Sequence, residues 1–262
     1  MHAAYFVLFR HPNSVLMKFL VCISNVPDTT TKISFTPDNK EFNKAGVQFV
    51  INPWDEYALT RAIELKEAAG SGTVTVLNVG EAETEPNIRK ALAIGADDAI
   101  RVNAAPQDAY FVAEQIAAVA KDGAYDVILM GKESIDYNGF QVHGMVGEML
   151  GIPTVAPAMK LDLAGNTATL EREIEGGKEI VQVNTPFVAS CQQPMCEPRI
   201  PNMRGIMTAR TKPLKVVPPV GEPARTQVVE FALPPKKQGV KLIDAENAGE
   251  LIKLLRNEAK VI

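Results

Sequence analysis

Cysteine, histidine and tryptophan are scarce in this chain, whose 262 residues include three, three and one of them. The cysteines, Cys22, Cys191 and Cys196, are odd in number, which argues against a disulfide framework and favours a reducing compartment. Structural zinc normally takes four Cys or His ligands in paired spacings, and no second pair stands near Cys191 and Cys196. The sequence therefore predicts no metal site.

The motifs of common nucleotide-binding and hydrolytic enzymes are also missing. Gly131-Lys132 is followed by Glu133 and lacks the upstream glycine of a P-loop, and no Gly-x-Ser-x-Gly elbow is present. His143 is the only histidine after residue 11, and we interpret it as a surface or packing residue rather than a base. We therefore predict no catalytic residues, and we expect a bound cofactor to do any chemistry.

Charge and hydropathy exclude two further classes of protein. The formal net charge of −4 does not mark the chain as a nucleic-acid binder, and no run of 18 apolar residues predicts insertion into a membrane. Residues 1–16 have a short apolar run without a basic start or a small-residue cleavage site. We interpret them as a non-native or disordered extension before a natural start at Met17, with a weak targeting segment as the alternative.

Apolar runs alternate with helical patterns over the first half of the chain, which predicts a doubly wound, mostly parallel α/β sheet. Such sheets bind ligands beyond the carboxyl ends of their strands, where the winding reverses. Here those ends carry Ser24–Asp28, Asn78–Gly80 and Gly131–Gly139. The predicted strands are Phe19–Ile23, Val74–Val79, Ala99–Val102 and Val127–Met130, and the predicted helices after the one starting at Asn52 are Pro86–Ile94, Asp108–Lys121 and Val142–Leu150.

The second half of the chain has a different pattern. Thr167–Ile174, Glu179–Val183 and Phe187–Ser190 are short runs between turn signals, and we predict antiparallel strands added to the edge of the sheet. After Cys191 the chain is rich in proline, which favours an extended arm over a second core. We predict that this arm ends in an amphipathic helix, Ala245–Glu258, and lies on a partner.

Two segments have the residues of a ligand site. Asn52-Pro53 predicts a helix start with Asn52 as the N-cap, and Trp54 adds an aromatic ring that capping does not explain. Gly131–Gly139 follows a buried strand and precedes a helix, so its glycines and lysine suit a phosphate held by backbone N–H groups. A solvated connection remains the alternative for this loop.

These segments and four others come in an order that resembles the β subunit of electron-transfer flavoproteins. The resemblance runs from about Lys18 to the C-terminus, and only the ordered set is specific. The other four segments are Val26-Pro27-Asp28, the run from Ala91 to Asp97, the run from Glu171 to Gly177, and Glu197-Pro198-Arg199 followed by Ile206-Met207.

The resemblance implies an adenine-nucleotide α-hydrolase-like sheet in a heterodimer with an α subunit that carries most of the FAD site. The β subunit would wall the flavin, with Trp54 towards it, and bury AMP; a second FAD, as in electron-bifurcating members, is the alternative. Matched positions imply a nucleotide site made of Cys22, Asn52, Pro53, Trp54, Asp55, Val79, Gly131, Lys132, Glu133, Ser134, Ile135, Asp136, Gly139, Phe140, Gln141 and Val142.

The resemblance also implies protein partners and three regions of the chain. Glu173 matches a glutamate that pairs with the α subunit, and Glu197, Arg199 and Met203 belong to a loop that anchors on acyl-CoA or related dehydrogenases. Electrons would pass on to a quinone-linked oxidoreductase, in the cytoplasm or, in a eukaryote, the mitochondrial matrix. The regions are a nucleotide-binding domain at residues 17–191, a recognition loop at 192–212 and a C-terminal arm at 213–262.

Departures from the family pattern leave alternatives open. Arg204-Gly205 replaces a Pro-Asn pair of the anchoring loop, and Phe140 and Val142 occupy positions that are often polar. A stand-alone adenine-nucleotide sensor of the universal-stress type is the main rival, although such a sensor needs no proline-rich arm. An ATP pyrophosphatase is a weaker rival because the chain has no Ser-Gly-Gly-x-Asp-Ser loop.

Overall fold

A computed structural model describes residues 16–221, 223–236 and 239–262 of the chain. The prediction for residues 1–16 falls outside this part, apart from Leu16. The described residues form two compact units, one from residues 16–33 and 44–227 and the other from residues 34–43 and 228–262. The candidate site lies wholly within the first unit.

The first unit alternates strands and helices as predicted. Its strands are β1 (Lys18–Cys22), β2 (Asn25–Pro27), β3 (Phe49–Ile51), β4 (Thr73–Val79), β5 (Asp98–Val102), β6 (Val127–Gly131), β7 (Thr154–Ala164), β8 (Thr167–Ile174), β9 (Gly177–Asn184), β10 (Phe187–Cys191) and β11 (Leu214–Val217). Its helices are α1 (Pro53–Ala69), α2 (Glu85–Ile94), α3 (Ala109–Gly123), α4 (Val142–Leu150) and α5 (Met203–Ala209).

The nine-stranded sheet has the order β11-β5-β4-β1-β6-β10-β7-β8-β9, and the small pair β2-β3 is separate. Strands from β11 to β7 are parallel, whereas β8 and β9 are antiparallel additions. The chain leaves β1 towards β4 and β5 and returns to β6 on the other side, so the winding reverses between β1 and β6. The predicted doubly wound fold with an antiparallel edge is confirmed.

The strands bury both faces, as parallel strands between two helical layers must. Phe19 and Val21 of β1 pack in one core cluster with Leu59 of α1, while Leu20 packs in the other with Ile116 of α3. Side chains alternate across a strand, so neighbouring residues of β1 enter opposite cores. The sheet therefore separates α1 and α2 from α3 and α4.

One strand prediction is wrong. Phe187–Ser190, expected as an antiparallel edge strand, is β10, which lies inside the sheet and runs parallel to β6 and β7. All five residues of β10 are buried, because it is covered on both faces. The sequence analysis also missed β7, which starts beside β10 and continues as the antiparallel partner of β8. Within the predicted arm, β11 pairs with β5 at the sheet edge.

The second unit contains the last helix, α6 (Ala248–Asn257), preceded by a short 3-10 turn at Ala245–Asn247. Phe35 and Phe231 stack within this unit, with ring centroids 5.1 Å apart. Leu251 and Ile252 of α6 are about half exposed. Among the helices that the structure describes, none has the length and apolarity needed to cross a membrane.

Candidate functional site

Asp55, in the first turn of α1, ties together the strand ends on the two sides of the reversal. Its Oδ2 accepts hydrogen bonds from the Ser24 N–H at 2.7 Å and the Ser24 hydroxyl at 2.8 Å, just after β1. Its Oδ1 accepts one from the N–H of Gly131, the last residue of β6, at 2.8 Å. Both carboxylate oxygens thus have hydrogen-bond partners within the chain, so the role of Asp55 is to hold the ends of β1 and β6 in position at the site.

Asn52 holds the loop that follows β6. Its Nδ2 donates to the carbonyl of Glu133 at 2.8 Å, and its Oδ1 accepts from the N–H of Ile135 at 3.3 Å. Asn52 is the N-cap residue of α1 and Pro53 is its first residue, as predicted, but the Asn52 side chain makes no capping bond there. The buried Asn52 side chain therefore stabilises the loop after β6, through backbone groups far away in the sequence, and not the start of α1.

Trp54 and Lys132 form the next layer. The Lys132 Nζ lies 4.5 Å from the centroid of the Trp54 ring, within the range of a cation–π contact. The same ammonium is 3.8 Å from the Glu133 carboxylate, and the Lys132 N–H donates to the carbonyl of Cys191 at 3.0 Å. The loop is therefore joined to the start of α1 and to the end of β10.

The rest of the loop curls back on itself before α4. The Ser134 hydroxyl donates to Asp136 at 2.6 Å, and the Asn138 N–H donates to the Ser134 carbonyl at 2.8 Å. Asn138 and Phe140 have φ values of 50° and 48°, an uncommon left-handed conformation for residues other than glycine. Gln141 occupies the N-cap position of α4 without a side-chain capping bond, so no side chain closes that helix end.

Cys22 and Val79 lie at neighbouring strand ends, on β1 and β4. Burial raises the pKa of the Cys22 thiol well above its usual range, so the sulfur stays protonated and unreactive at neutral pH. The structure thus brings the predicted nucleotide residues to one edge of the sheet. Hydrogen bonds, a cation–π contact and an ion pair involve Asn52, Trp54, Asp55, Gly131, Lys132, Glu133 and Ile135.

Two further polar residues lie at this edge: Arg101 was not predicted, and Asn78 was predicted only as part of a strand end. Asn78, fully buried near the end of β4, donates from Nδ2 to the carbonyl of Ile23 at 2.9 Å, while its Oδ1 has no partner among the described residues. Buried Arg101 donates to the carbonyl of Gly80 at 2.9 Å. The available signal was a lone asparagine or arginine near the carboxyl end of an otherwise apolar strand.

The predicted partner residues lie elsewhere on the first unit. Glu173, on β8, is exposed and accepts a 2.8 Å hydrogen bond from buried Gln192. Glu197 is also exposed. The Arg199 guanidinium forms a two-bond ion pair with Glu67 of α1, at 2.9 and 2.7 Å, which raises the pKa of Arg199 and lowers that of Glu67. Arg199 therefore fastens the recognition loop to the domain.

The segment 192–212, predicted to be a recognition loop, carries an exposed apolar patch. Ile200, Met203 and Met207 are 89%, 74% and 70% exposed, and the last two lie one turn apart on α5. Asn202 caps this helix by accepting a hydrogen bond from the Gly205 N–H at 2.8 Å. We call Ile200, Met203 and Met207 the apolar patch.

Reciprocal contacts clamp α5 onto α2. Arg89 of α2 donates to the carbonyl of Ala209, the last residue of α5, at 3.0 Å and to that of Lys212, just after α5, at 2.8 Å. Lys212 in turn donates to the carbonyls of Leu92 and Ala96 at 2.8 and 2.5 Å, at the end of α2. Each cation thus satisfies carbonyls at the carboxyl end of the other helix, where positive charge is favourable.

This arrangement places the chain in the class of doubly wound α/β proteins, which bind ligands where the winding reverses. The chain matches the family described as electron transfer flavoprotein domain over residues 41–220. It is 37% identical to the electron transfer flavoprotein subunit beta of Bacillus subtilis (strain 168), over 94% of this chain and all of that protein.

Two further relatives bear the same name. The protein of Syntrophomonas wolfei subsp. wolfei is 36% identical over 94% of this chain and 98% of its own length. The mitochondrial protein of Oryza sativa subsp. indica is 32% identical over 94% of this chain and its whole length. The chain therefore belongs to the electron-transfer flavoprotein β-subunit family, whose members are electron carriers rather than enzymes.

The burial of Asp55 predicts a pH-dependent stability. Burial raises its pKa from 3.8 to about 6, although hydrogen bonds from Ser24 and Gly131 oppose the shift. The pKa of Asp55 is therefore higher in the folded chain than in the unfolded chain, so protonation of Asp55 stabilises the fold. This stabilisation is complete below pH 3.8 and is lost as the pH rises through 6. We expect the contribution of Asp55 to the free energy of unfolding to fall by about 2 kcal/mol between pH 4 and 7.

Urea unfolding of the wild-type chain and Asp55→Asn across this range measures that contribution as the difference between the two pH profiles. Asparagine does not titrate, so the variant should lack this fall while keeping the pH response of every other group. Parallel profiles for the two proteins would contradict the assignment.

Proposed function

We propose that the chain is the β subunit of a heterodimeric electron-transfer flavoprotein, in which it walls the FAD carried mostly by the α subunit and buries AMP. The observation that carries this proposal is the tie at Asp55, which joins the ends of β1 and β6 at the reversal. The loop after β6 leads directly into the uncapped end of α4. Backbone N–H groups at such a helix end favour a phosphate.

The nucleotide is positioned in this proposal mainly by backbone groups. Asn52 fixes the loop through the carbonyl of Glu133 and the N–H of Ile135, while Ser134 and Asp136 bond each other. Few side chains are therefore free to contact the phosphate, and backbone N–H groups of the loop and of α4 supply the contacts. Trp54 supplies an aromatic surface towards the flavin.

Counting the nucleotides of the purified complex tests the cofactor assignment. The chain is produced together with its α subunit, the complex is denatured, and released FAD and AMP are quantified. We expect one FAD and one AMP per complex. Two FAD without AMP would replace this proposal with an electron-bifurcating carrier, and a stable homodimer binding ATP without an α subunit would favour the universal-stress type of sensor.

We further propose that the apolar patch docks on acyl-CoA or related dehydrogenases, and that the complex passes electrons to a quinone-linked oxidoreductase. This proposal is supported by the position of Met203, which is 74% exposed at the start of α5. Arg89 and Lys212 hold that helix on α2, so the exposed side chain has a fixed base. Methionine fills irregular apolar pockets because it is flexible and polarisable. We place the complex in the cytoplasm or the mitochondrial matrix.

Met203→Ala should weaken docking without loss of flavin. A few anchors dominate most interfaces, so removing one should raise the KM for the dehydrogenase about tenfold or more. The measurement is the rate of flavin reduction as the dehydrogenase concentration is varied, together with the FAD content. Val216→Ala, at a half-exposed site on β11, is the control and should leave both unchanged. Equal loss of FAD from Met203→Ala would show that the loop is structural.

A further inference from the structure

His143 is a buried imidazole whose hydrogen-bonding groups have no use within the described chain. It is the second residue of α4, its exposed fraction is 6%, and neither ring nitrogen has a partner among the described residues. Burial lowers its pKa, so the ring is neutral at pH 7 and has one donor and one acceptor. Native proteins rarely leave such groups unpaired, which indicates a ligand.

The imidazole lies at the open end of α4. Helical side chains lean towards the N-terminus of their helix, and the His143 ring meets the ring of Phe140 edge-on, with centroids 4.8 Å apart. Phe140 ends the loop that follows β6, and Gln141 leaves the helix end without a side-chain cap. The unpaired imidazole thus belongs to the first turn of α4, whose N-terminus has no side-chain cap, and its ring contacts the residue that ends the preceding loop.

A second unpaired group lies beneath the same helix. The hydroxyl of Ser190, on β10, is fully buried and without a partner among the described residues. Val188, two positions earlier on that strand, packs in the core cluster that contains Val146 of α4. Side chains two apart share a face, so Ser190 is on the face of the sheet that α4 covers. His143 on α4 and Ser190 beneath that helix are thus two buried polar residues on the same side of the sheet, and the described residues offer neither a partner.

We propose that the His143 ring N–H donates a hydrogen bond to the phosphate of a nucleoside monophosphate held at the N-terminus of α4, and that it thereby selects phosphorylated over unphosphorylated nucleosides. This inference rests on the proposed nucleotide site. A phosphate dianion accepts hydrogen bonds strongly, and a bond to a charged group is worth more than one between neutral groups. The neutral imidazole supplies the donor without adding a buried charge.

Binding of AMP and of adenosine to the nucleotide-free complex with the α subunit tests the inference. In wild type we expect AMP to bind more tightly than adenosine. His143→Leu keeps apolar volume but removes the donor, so AMP affinity should fall about tenfold or more while adenosine affinity is unchanged. His143→Gln retains a donor and should keep most of the preference. Gly144→Ala, at the next residue of α4, adds a Cβ that would meet nothing within 4 Å and should keep all of it.

The results separate this inference from the proposed function. If wild type prefers AMP and His143→Leu keeps the preference, the nucleotide site stands and the role of His143 is overturned. Equal losses in His143→Leu and Gly144→Ala would show that any change in the first turn of α4 weakens AMP binding, and would overturn the role of His143 as well. If wild type binds neither compound, both proposals fail.

A measurement on the wild-type complex covers the case in which a variant does not fold. A low-field imidazole N–H resonance should appear in the proton NMR spectrum on addition of AMP and not of adenosine. Its absence with bound AMP would overturn the proposed hydrogen bond.

Discussion

Gly131→Ala is expected to unfold the edge of the sheet at the candidate site and to release the nucleotide. A Cβ at this position would lie 2.5 Å from Asp55 Oδ1, 2.6 Å from the Trp54 Cβ and 2.8 Å from the Trp54 carbonyl carbon. Two of these three atoms belong to the backbone or directly adjoin it, so the strain cannot be relieved by a flexible side chain. The start of α1 must move away from the end of β6.

That movement also breaks the hydrogen bond from the Gly131 N–H to Asp55, which joins the two sides of the reversal. Overpacking and an unsatisfied buried donor together cost about 3 to 4 kcal/mol. For a domain of this size we expect a melting temperature lower by about 10 °C. AMP retention after purification of the complex should fall to a small fraction of the wild-type value.

Gly139→Ala is the matched control in the same loop. Its Cβ would meet only the side chain of Gln141, with the nearest atom, Nε2, at 3.3 Å, and its φ is not in the left-handed region. We expect a change in stability within about 0.5 kcal/mol and normal AMP content. If Gly139→Ala were as damaging as Gly131→Ala, the loop as a whole would be intolerant and the specific packing argument would fail.

Local signals predicted those elements whose boundaries depend on neighbouring residues. Helix α4 and strand β8 have the predicted limits, because Gly151 ends the first and Gly176-Gly177 turns the chain after the second. Strand β10 was misplaced because its apolar run is equally compatible with an edge and an interior position. Its parallel pairing with β6 and β7 is decided by residues far away in the sequence.

In the candidate site, too, the general location was predictable from the sequence, whereas contacts between residues far apart in the sequence were not. The ends of β1, β4 and β6 were predicted to carry the ligand from the winding of the sheet alone, and they do meet at one edge. The roles of individual side chains were not predictable in this way. Asn52 has the local pattern of a helix cap, yet its side chain bonds Glu133, 81 positions away. Asp55 joins Ser24 and Gly131, 31 and 76 positions away.

Gly205→Ala is expected to weaken the proposed docking on a dehydrogenase strongly while leaving the nucleotide site intact. Its Cβ would lie 2.2 Å from the carbonyl oxygen of Ala93 and 3.2 Å from the Ala93 carbonyl carbon, so α5 approaches the backbone of α2 at this glycine. Ordinary contact begins at 3.4 Å, and α5 must therefore move outward by about 1 Å. The clamp through Arg89 and Lys212 opposes that movement.

The displaced helix would carry Met203 and Met207 of the apolar patch with it, so the anchor Met203 would no longer match its pocket. We expect the KM for the dehydrogenase to rise by more than tenfold, at least the effect of Met203→Ala, because both methionines of the patch move. Stability should fall by about 2 kcal/mol, whereas FAD and AMP content should stay at wild-type levels. Flavin reduction kinetics, thermal unfolding and nucleotide counting measure the three quantities.

Gly144→Ala separates crowding from the general effect of replacing a helical glycine. Gly144 lies in α4, and its Cβ would meet nothing within 4 Å. Alanine there should stabilise the helix by about 0.5 to 1 kcal/mol and leave docking unchanged. Normal docking by Gly205→Ala would mean that α5 can move away from α2 without displacing its anchor, and the recognition loop would then bind its partner by adapting to it rather than as a rigid surface.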